Sequence, residues 1–420
     1  MPAQFGLGTK SKVNPIAGGS WLSRERVIRI AAISAAAGLA MLLFLWAARS
    51  GTVDRFGQPV GSDFTAFWNA GRIANAGHPA QAWDLGALNA AVRATHGTAY
   101  PIAWLYPPVF LLVASALAAM PYLTALLLWQ LFSLSIVAVV LQRILKDRAA
   151  TAVALASPLT PMVLAHGQNA FLTAGLLGSG LLLLERRPWL GGFLLGALVY
   201  KPQLALVIGP LLLFTRNWRA LAAAILAAAA LIALSWAAFG AECWTAFAQS
   251  LAASRAFMEQ GAVGFHKSAS LFAVARMWGG PVAAGYAVQI AGIAAALVIL
   301  WRSAKAVPNI RSAGACAAAA LSTPYLLDYD LAIVGLGAVF LYAEARQRGF
   351  QPYERSALAF IWAVPWISRP AAQYALVPLG AISILLLGWF AWRSARQGIA
   401  MPPLTCSVCP VTYPASLDAR

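Results

Sequence analysis

Long runs without charge alternate along the chain with short polar breaks. A helix needs roughly 20 mainly apolar residues to cross a bilayer, and 27–48 is the first such run. Residues 49–106 then form the longest polar, turn-rich stretch between apolar runs. Within it, 64–76 and 80–94 are helix-compatible and carry Phe and Trp on one side, as helices lying in a membrane interface do. Pro107-Pro108 opens 109–120, which is apolar but only a dozen residues long, the length of a re-entrant or interfacial piece. Charge-free runs follow at 122–142, 149–165, 168–184, 188–200, 202–215, 220–241, 279–301, 312–327, 331–343, 356–368 and 370–392. Several are short and broken by Pro or Gly. Such breaks persist in a bilayer only where protein or a watery cavity receives the freed backbone groups. No period of 20–50 residues repeats, which excludes a solenoid. The pattern predicts an all-α polytopic membrane protein.

Composition supports that class. Of 420 residues, 61% are hydrophobic and only 10% charged, and the mean hydropathy is +0.72. A soluble domain carries roughly 25% charged residues. A soluble enzyme, a disordered chain and a disulfide scaffold are excluded. The net charge of +17 reports topology rather than nucleic acid, since no run of five basic residues exists and no soluble region offers a basic groove. With the N-terminus cytoplasmic and 109–120 not spanning, twelve spans result. The cytoplasmic side then holds 21 of the 30 basic and six of the 13 acidic residues, +15 net, against nine and seven outside, +2 net. This is the positive-inside distribution. Counting 109–120 as a span reverses it. The division is a cytoplasmic tail at 1–26, a membrane domain at 27–395 with 49–106 as first extracytoplasmic loop, and a cytoplasmic tail at 396–420. The apolar stretch near the N-terminus is long enough to span and lacks a clean cleavage site, so it does not read as a cleaved signal. Cys243 and Cys316 read as packing residues. Cys406 and Cys409 form a lone C-x-x-C without a His, half of a structural zinc site at most.

Under this topology the outer face collects unusual polar residues, and ionisable groups at membrane depth default to function. Asp63 lies in Gly61-Ser62-Asp63-Phe64, and His166-Gly167-Gln168-Asn169 forms a turn. Lys201 sits in Tyr200-Lys201-Pro202-Gln203 at the tip of a tight helical hairpin. His266-Lys267-Ser268 follows in a loop, and Asp328 and Asp330 in Pro324-Tyr325-Leu326-Leu327-Asp328-Tyr329-Asp330.

These pieces resemble motifs of the bacterial GT87 (DUF2029) glycosyltransferases. The resemblance runs through Ser62-Asp63-Phe64, Trp68, Ala70, Gly77 and Trp83-Asp84, then Tyr106-Pro107-Pro108, Gly167-Gln168-Asn169 and Lys201-Pro202-Gln203. It continues through His266-Lys267-Ser268-Ala269-Ser270-Leu271 and Pro324-Tyr325 to Tyr329-Asp330-Leu331, in family order over about 27–395. Lys267 departs from the pattern, which often has Gln or Asn there. The resemblance implies a GT-C fold in a bacterial plasma membrane. It also implies a polyprenyl-phosphate-sugar donor, often mannose, and a cell-envelope glycolipid or glycan acceptor.

The residue chemistry agrees. A sugar on a lipid phosphate has an activated C1, and the acceptor hydroxyl needs a base on the opposite ring face, a task that suits a carboxylate. The departing phosphate needs cations or hydrogen-bond donors. Asp63 is the expected base, with attack inverting the anomeric centre. Lys201, His266 and Lys267 are the expected phosphate ligands. Tyr106, Gln168, Asn169, Gln203, Tyr329 and Asp330 are the expected substrate contacts. No cofactor is expected. No His/Cys cluster compels a metal, and the Asp328-x-Asp330 pair lies where nucleotide sugars are not expected.

Each residue also has a plainer reading. Asp63 caps the helix that begins at Phe64, Lys201 snorkels to headgroups, Asp330 pairs with a cation at a helix start, and Trp68, Trp83 and Trp104 form an interfacial belt. Two other functions compete with the transferase: a transporter of an envelope precursor and a non-catalytic assembly factor. A transporter commonly shows repeated halves with paired broken helices, and none are visible. A lateral groove opening beside Asp63 favours the transferase, and a central path with two gates favours transport.

Overall fold

The computed structural model describes residues 14–400, with side chains to 396. Lys10, Lys12, Arg420 and the Cys406–Cys409 pair lie outside the described residues. Among those described, the chain is helical, and its extended pairing is limited to the isolated bridges Ser50 to Val53, Val53 to Pro59 and Ser268 to Leu327.

Among the described residues, four helices are long and apolar enough to cross a membrane: Arg24–Ala47, Tyr122–Leu145, Trp218–Phe239 and Val282–Ser303. Arg148–Leu155 and Leu159–His166 make a fifth span if taken together, bent by 56°. Pro158 sits in that break, where its missing N–H and ring cannot continue the ladder. Pro108–Ala118, Ala170–Leu183, Pro188–Tyr200 and Pro202–Phe214 are apolar but shorter. Fourteen residues of helix rise about 21 Å against a hydrocarbon core of about 30 Å. Among the described residues, length and composition alone therefore identify four or five of the twelve expected crossings. The expected run at 370–392 is also divided, into Ser368–Ala375 and Leu379–Ala400, because Leu376 turns left-handed (φ 55°) and Pro378 follows.

The centre of the bundle is Pro308–Leu321, buried throughout from Ser312 to Leu321. Val282–Ser303, Leu331–Arg348 and Leu379–Ala400 pack around it. Its Ala-rich sequence permits this, since small side chains let helix backbones approach closely in lipid. The same device joins Pro188–Gly196 to Trp218–Phe239. A Cβ on Gly192 or Gly196 would lie 2.1 or 2.2 Å from the carbonyl oxygens of Ala220 and Ala224. Arg24–Ala47, by contrast, buries only Ala31, Ser34 and Gly38 and lies at the rim. Large apolar side chains such as Ile33, Leu131, Ile225 and Ile290 are exposed on the long helices, as lipid-facing positions are.

The first loop folds into Phe64–Asn75, a short 3-10 turn at Pro79–Trp83, and Leu85–His96. The expected helices form, but their apolar faces meet protein. Phe64 and Phe67 are fully buried, and so are Trp83 and Trp104 apart from a few per cent of their surface. Phe67 sits edge-on to Trp104, Tyr106, Phe110 and Trp129. Trp68 donates its indole N–H to the Met120 carbonyl at 2.9 Å. An interfacial belt is thus not the place of these tryptophans. Gly71 lets Phe64–Asn75 lie directly on Pro108–Ala118, since a Cβ there would stand 2.1 Å from the Ala114 carbonyl oxygen.

His96 pins this loop. Its Nε2 and Nδ1 lie 2.6 and 2.8 Å from the hydroxyls of Thr65 and Thr52, and its ring meets Tyr122 edge-on. Burial lowers its pKa from 6.5 to about 4. Between those values the unfolded loop binds the proton and the folded loop does not, so stability rises with pH across that window. The contribution is complete above pH 6.5 and is lost as pH falls toward 4, a swing of up to about 3 kcal/mol. Protection of the 85–96 amides, corrected for the intrinsic pH dependence of hydrogen exchange, should fall from pH 7 to pH 4.5, and a His96→Gln variant should lose that fall. An equal fall in both proteins would refute the pin.

Candidate active site

Two glycines bring Asp63 to the 166–169 turn. Gly61 (φ 74°) and Gly167 (φ 64°) both take the left-handed conformation, which glycine adopts without penalty. A Cβ on Gly167 would also stand 2.7 Å from the Phe64 Cβ, and one on Gly61 2.8 Å from Leu126. Trp129 donates its indole N–H to the Gly167 carbonyl at 3.0 Å, and the Asp63 amide donates to the His166 carbonyl at 3.0 Å.

Asp63 precedes Phe64–Asn75 but makes no side-chain capping bond, so helix capping is not its place. Its Oδ2 accepts from the Gln168 amide at 2.9 Å. Its Oδ1 makes no hydrogen bond among the described residues and lies 3.9 Å from the His166 Nδ1, a nitrogen that is 2.8 Å from the Ser62 hydroxyl. The Asp63 side chain is 24% exposed, so one oxygen remains open to a ligand. Gln168 is itself held, its Oε1 accepting from the Asn169 amide at 2.8 Å and the Tyr106 hydroxyl at 3.4 Å. Tyr106 is fixed in turn by the Trp83 indole, which donates to its carbonyl at 3.1 Å.

The charge of Asp63 is felt by four phenols. Burial first, then nearby charge, pushes up the hydroxyl pKa of Tyr100, Tyr106, Tyr325 and Tyr329, and Asp63 contributes to all four. They remain neutral donors at any physiological pH. Asp330 acts on Tyr106, Tyr325 and Tyr329 as well.

Asp330 is not free. Its Oδ1 lies 2.7 Å from Lys201 Nζ, and both side chains are almost wholly buried. Its Oδ2 accepts from the Leu327 amide at 3.3 Å. Lys201 stands between the 3-10 segments Ala197–Tyr200 and Pro202–Leu204, and its burial and ion pair replace the snorkelling reading. The plainer reading of Asp330, as partner to a cation, does describe its geometry. Gln203, half-buried, has no side-chain hydrogen bond to a described residue. Asn169 is fully buried, and neither atom of its side-chain amide has a partner among the described residues.

The third group is basic. The Ala269 amide and the Ser268 hydroxyl donate to the Leu326 carbonyl at 2.8 and 2.9 Å. These bonds tie the 265–270 turn to the loop of Asp328. Arg369 reaches the same place from Ser368–Ala375, with Nε and Nη2 2.8 and 2.6 Å from Asp328 Oδ2. His266 has its pKa lowered by burial and then by the charges of Lys267 and Arg369, with Asp328 opposing. It is therefore a neutral imidazole at neutral pH, able to serve a phosphate as a hydrogen-bond donor rather than as a cation. Asp328 and Asp330 each face a different cation, which is not the convergence of a divalent-ion site.

A cavity of about 300 Å³ adjoins these groups, bounded by Ser62, Tyr100, His166, Lys267 and Arg369 on its polar side. Asp63 is not in its lining, but Ser62, its neighbour in sequence, and His166, whose Nδ1 is 3.9 Å from Asp63 Oδ1, are. Sequence reasoning singled out neither Tyr100 nor Arg369. No sequence signal marks Arg369, which lies 41 residues from its partner Asp328.

An all-helical membrane protein that collects carboxylates, phenols and cations beside a cavity belongs to a class that handles polar substrates at a bilayer. Residues 104–327, just over half of the chain, match the model of Glycosyltransferase family 87. The chain belongs to that family, which is of GT-C type, and it is a membrane glycosyltransferase. Neither a curated protein nor a solved structure matches it. Lys201, His266 and Lys267 fall inside the matched segment, while Asp63, Asp330 and Arg369 lie outside it.

Proposed function

We propose that the protein transfers a hexose, in our reading mannose, from a polyprenyl-phosphate donor to a glycolipid or glycan acceptor of the cell envelope. The site lies on the extracytoplasmic side of a bacterial plasma membrane, and both termini are cytoplasmic. The observation that carries this reading is the open Asp63 oxygen beside a cavity lined by basic groups and by apolar residues of the rim helix. Asp63 accepts the proton of the acceptor hydroxyl. That oxygen bonds to C1 as the C1–O bond to phosphate breaks, and the polyprenyl phosphate leaves with the electron pair. The reaction is a single displacement, so the anomeric centre inverts. Gln168, fixed by Tyr106 and Asn169, orients the carboxylate. In this reading the neutral phenol of Tyr329 and the amide of Gln203 donate to sugar hydroxyls, the Tyr106 oxygen accepts from one while its proton stays on Gln168, and the Lys201–Asp330 pair underlies them. In the twelve-span layout, with the shorter and divided helices crossing as well, the charge split across the loops supports the orientation. The rim position of the cavity supports a transferase over a transporter, whose path would be central and gated at both ends.

Purified protein in lipid nanodiscs, given labelled polyprenyl-phosphate-mannose and envelope lipids, should form labelled glycolipid of inverted configuration and release polyprenyl phosphate. Transfer from a nucleotide sugar in place of the lipid donor would overturn the reading.

A further inference from the structure

Lys267 and Arg369 both border the 300 Å³ cavity. The Lys267 ammonium has no hydrogen bond or ion pair with any described residue. Arg369 spends its Nε and Nη2 on Asp328, and its Nη1 has no such partner. The acid on the cavity wall, Asp54, is turned to the backbone amides of Phe56 and Gln58 at 2.8 and 2.9 Å. The cavity therefore presents cationic hydrogen-bonding capacity that protein groups leave unused. Its apolar lining is contributed in part by Leu42, Leu45, Trp46 and Leu164. The first three come from Arg24–Ala47, the helix at the rim. A ligand that suits both kinds of lining has an anionic head and a hydrocarbon tail that reaches the bilayer.

We propose that Arg369, together with Lys267, binds the phosphate of the lipid donor, and that Leu42, Leu45 and Trp46 hold the start of its hydrocarbon tail. This rests on the donor class argued above and adds to it an arginine from outside the matched family segment. Charge supports the pairing. A sugar-bearing phosphodiester carries one negative charge, and the monoester left after transfer carries up to two. Lys267 is available to the first charge. The open corner of Arg369 meets the second, through a charge-assisted bond that a planar guanidinium directs well. Arg369 thus binds the product more strongly than the donor, which stabilises charge as it develops on the leaving group.

The test is binding of a long-chain polyprenyl monophosphate, without sugar, to the full-length protein in nanodiscs. Wild type should bind it, and millimolar inorganic phosphate, which has no tail, should not displace it. Arg369→Gln should weaken binding at least about tenfold, as loss of a hydrogen bond to a charged group does, and Arg369→Lys should recover part of it. Since Arg369→Gln leaves Asp328 unpaired, an Arg369→Gln/Asp328→Asn double variant restores charge balance and should be as weak as the single one. Trp46→Ala should weaken the lipid phosphate as well. Binding by Arg369→Gln and the double variant within twofold of wild type would overturn the proposal and leave the donor class standing. Displacement by inorganic phosphate would overturn the tail bed. A wild-type protein that does not bind the lipid phosphate would overturn the donor class, and this inference with it.

Discussion

Asp63→Asn should express, insert and bind donor, yet transfer sugar at least about a hundredfold more slowly than wild type. Loss of a general base typically costs on the order of 10²–10⁴ in rate. The geometry makes this substitution a clean probe. The Gln168 amide donates to Oδ2, and an asparagine carbonyl accepts the same bond. Asp63 makes no capping bond, so the helix that starts at Phe64 loses nothing. What is lost is the ability of Oδ1, which has no hydrogen bond of its own, to take a proton. The geometry also ranks the two candidate carboxylates. Both Asp330 oxygens are engaged, one by Lys201 and one by the Leu327 amide, whereas Asp63 keeps one open. Steady-state transfer with purified variants decides the matter. An Asp63→Asn enzyme with more than half of wild-type turnover would end its role as base.

The helices were legible wherever hydrophobic runs were long. The starts of the runs at 27, 122, 220 and 279 fall within three residues of helices observed at Arg24, Tyr122, Trp218 and Val282. Span counting was less secure, because a charge-free run of 13–17 residues reads the same whether it crosses lipid or lies inside the bundle. Pro308–Leu321 shows this: its alanines are apolar enough for either, and only packing against three helices reveals the centre of the fold. The first-loop aromatics failed for a related reason. Trp83 and Trp104 carry the amphipathic signature of an interface residue, but their partners arrive from 106–129, which periodicity within the loop does not encode. Among site residues, Asp63, Tyr106, Gln168 and Asn169 stood out because they sit in polar motifs between apolar runs, and the structure places them in one hydrogen-bonded chain. Arg369 was invisible because an arginine at a helix end is ordinary. Only the Asp328 carboxylate and the cavity beside it make it notable.

Lys201→Met shows where the structure changes an expectation. Sequence places Lys201 at a membrane boundary, so removing its charge should reduce donor binding while folding persists. The structure instead buries it against Asp330 at 2.7 Å, with side-chain exposures of 8% and 10%. Breaking a buried pair by removing one partner leaves an uncompensated charge and destabilises by about 3–5 kcal/mol. Lys201→Met should therefore unfold at markedly lower temperature than wild type in the same detergent. Lys201→Met/Asp330→Asn removes both charges, and replacing a buried pair by neutral groups is often tolerated. The double variant should recover most of the lost stability. Its activity then separates two roles. If the pair only supports the fold, turnover should return with stability. Our expectation is that it will not, because the charges of Asp330 and Asp63 both act on the hydroxyls of Tyr106 and Tyr329. Removing the pair changes the charge acting on those donors, so the double variant should be stable and still at least tenfold slow. Full turnover in a fully stable double variant would make Lys201 and Asp330 a structural pair and nothing more. A Lys201→Met single variant as stable as wild type would contradict the burial itself.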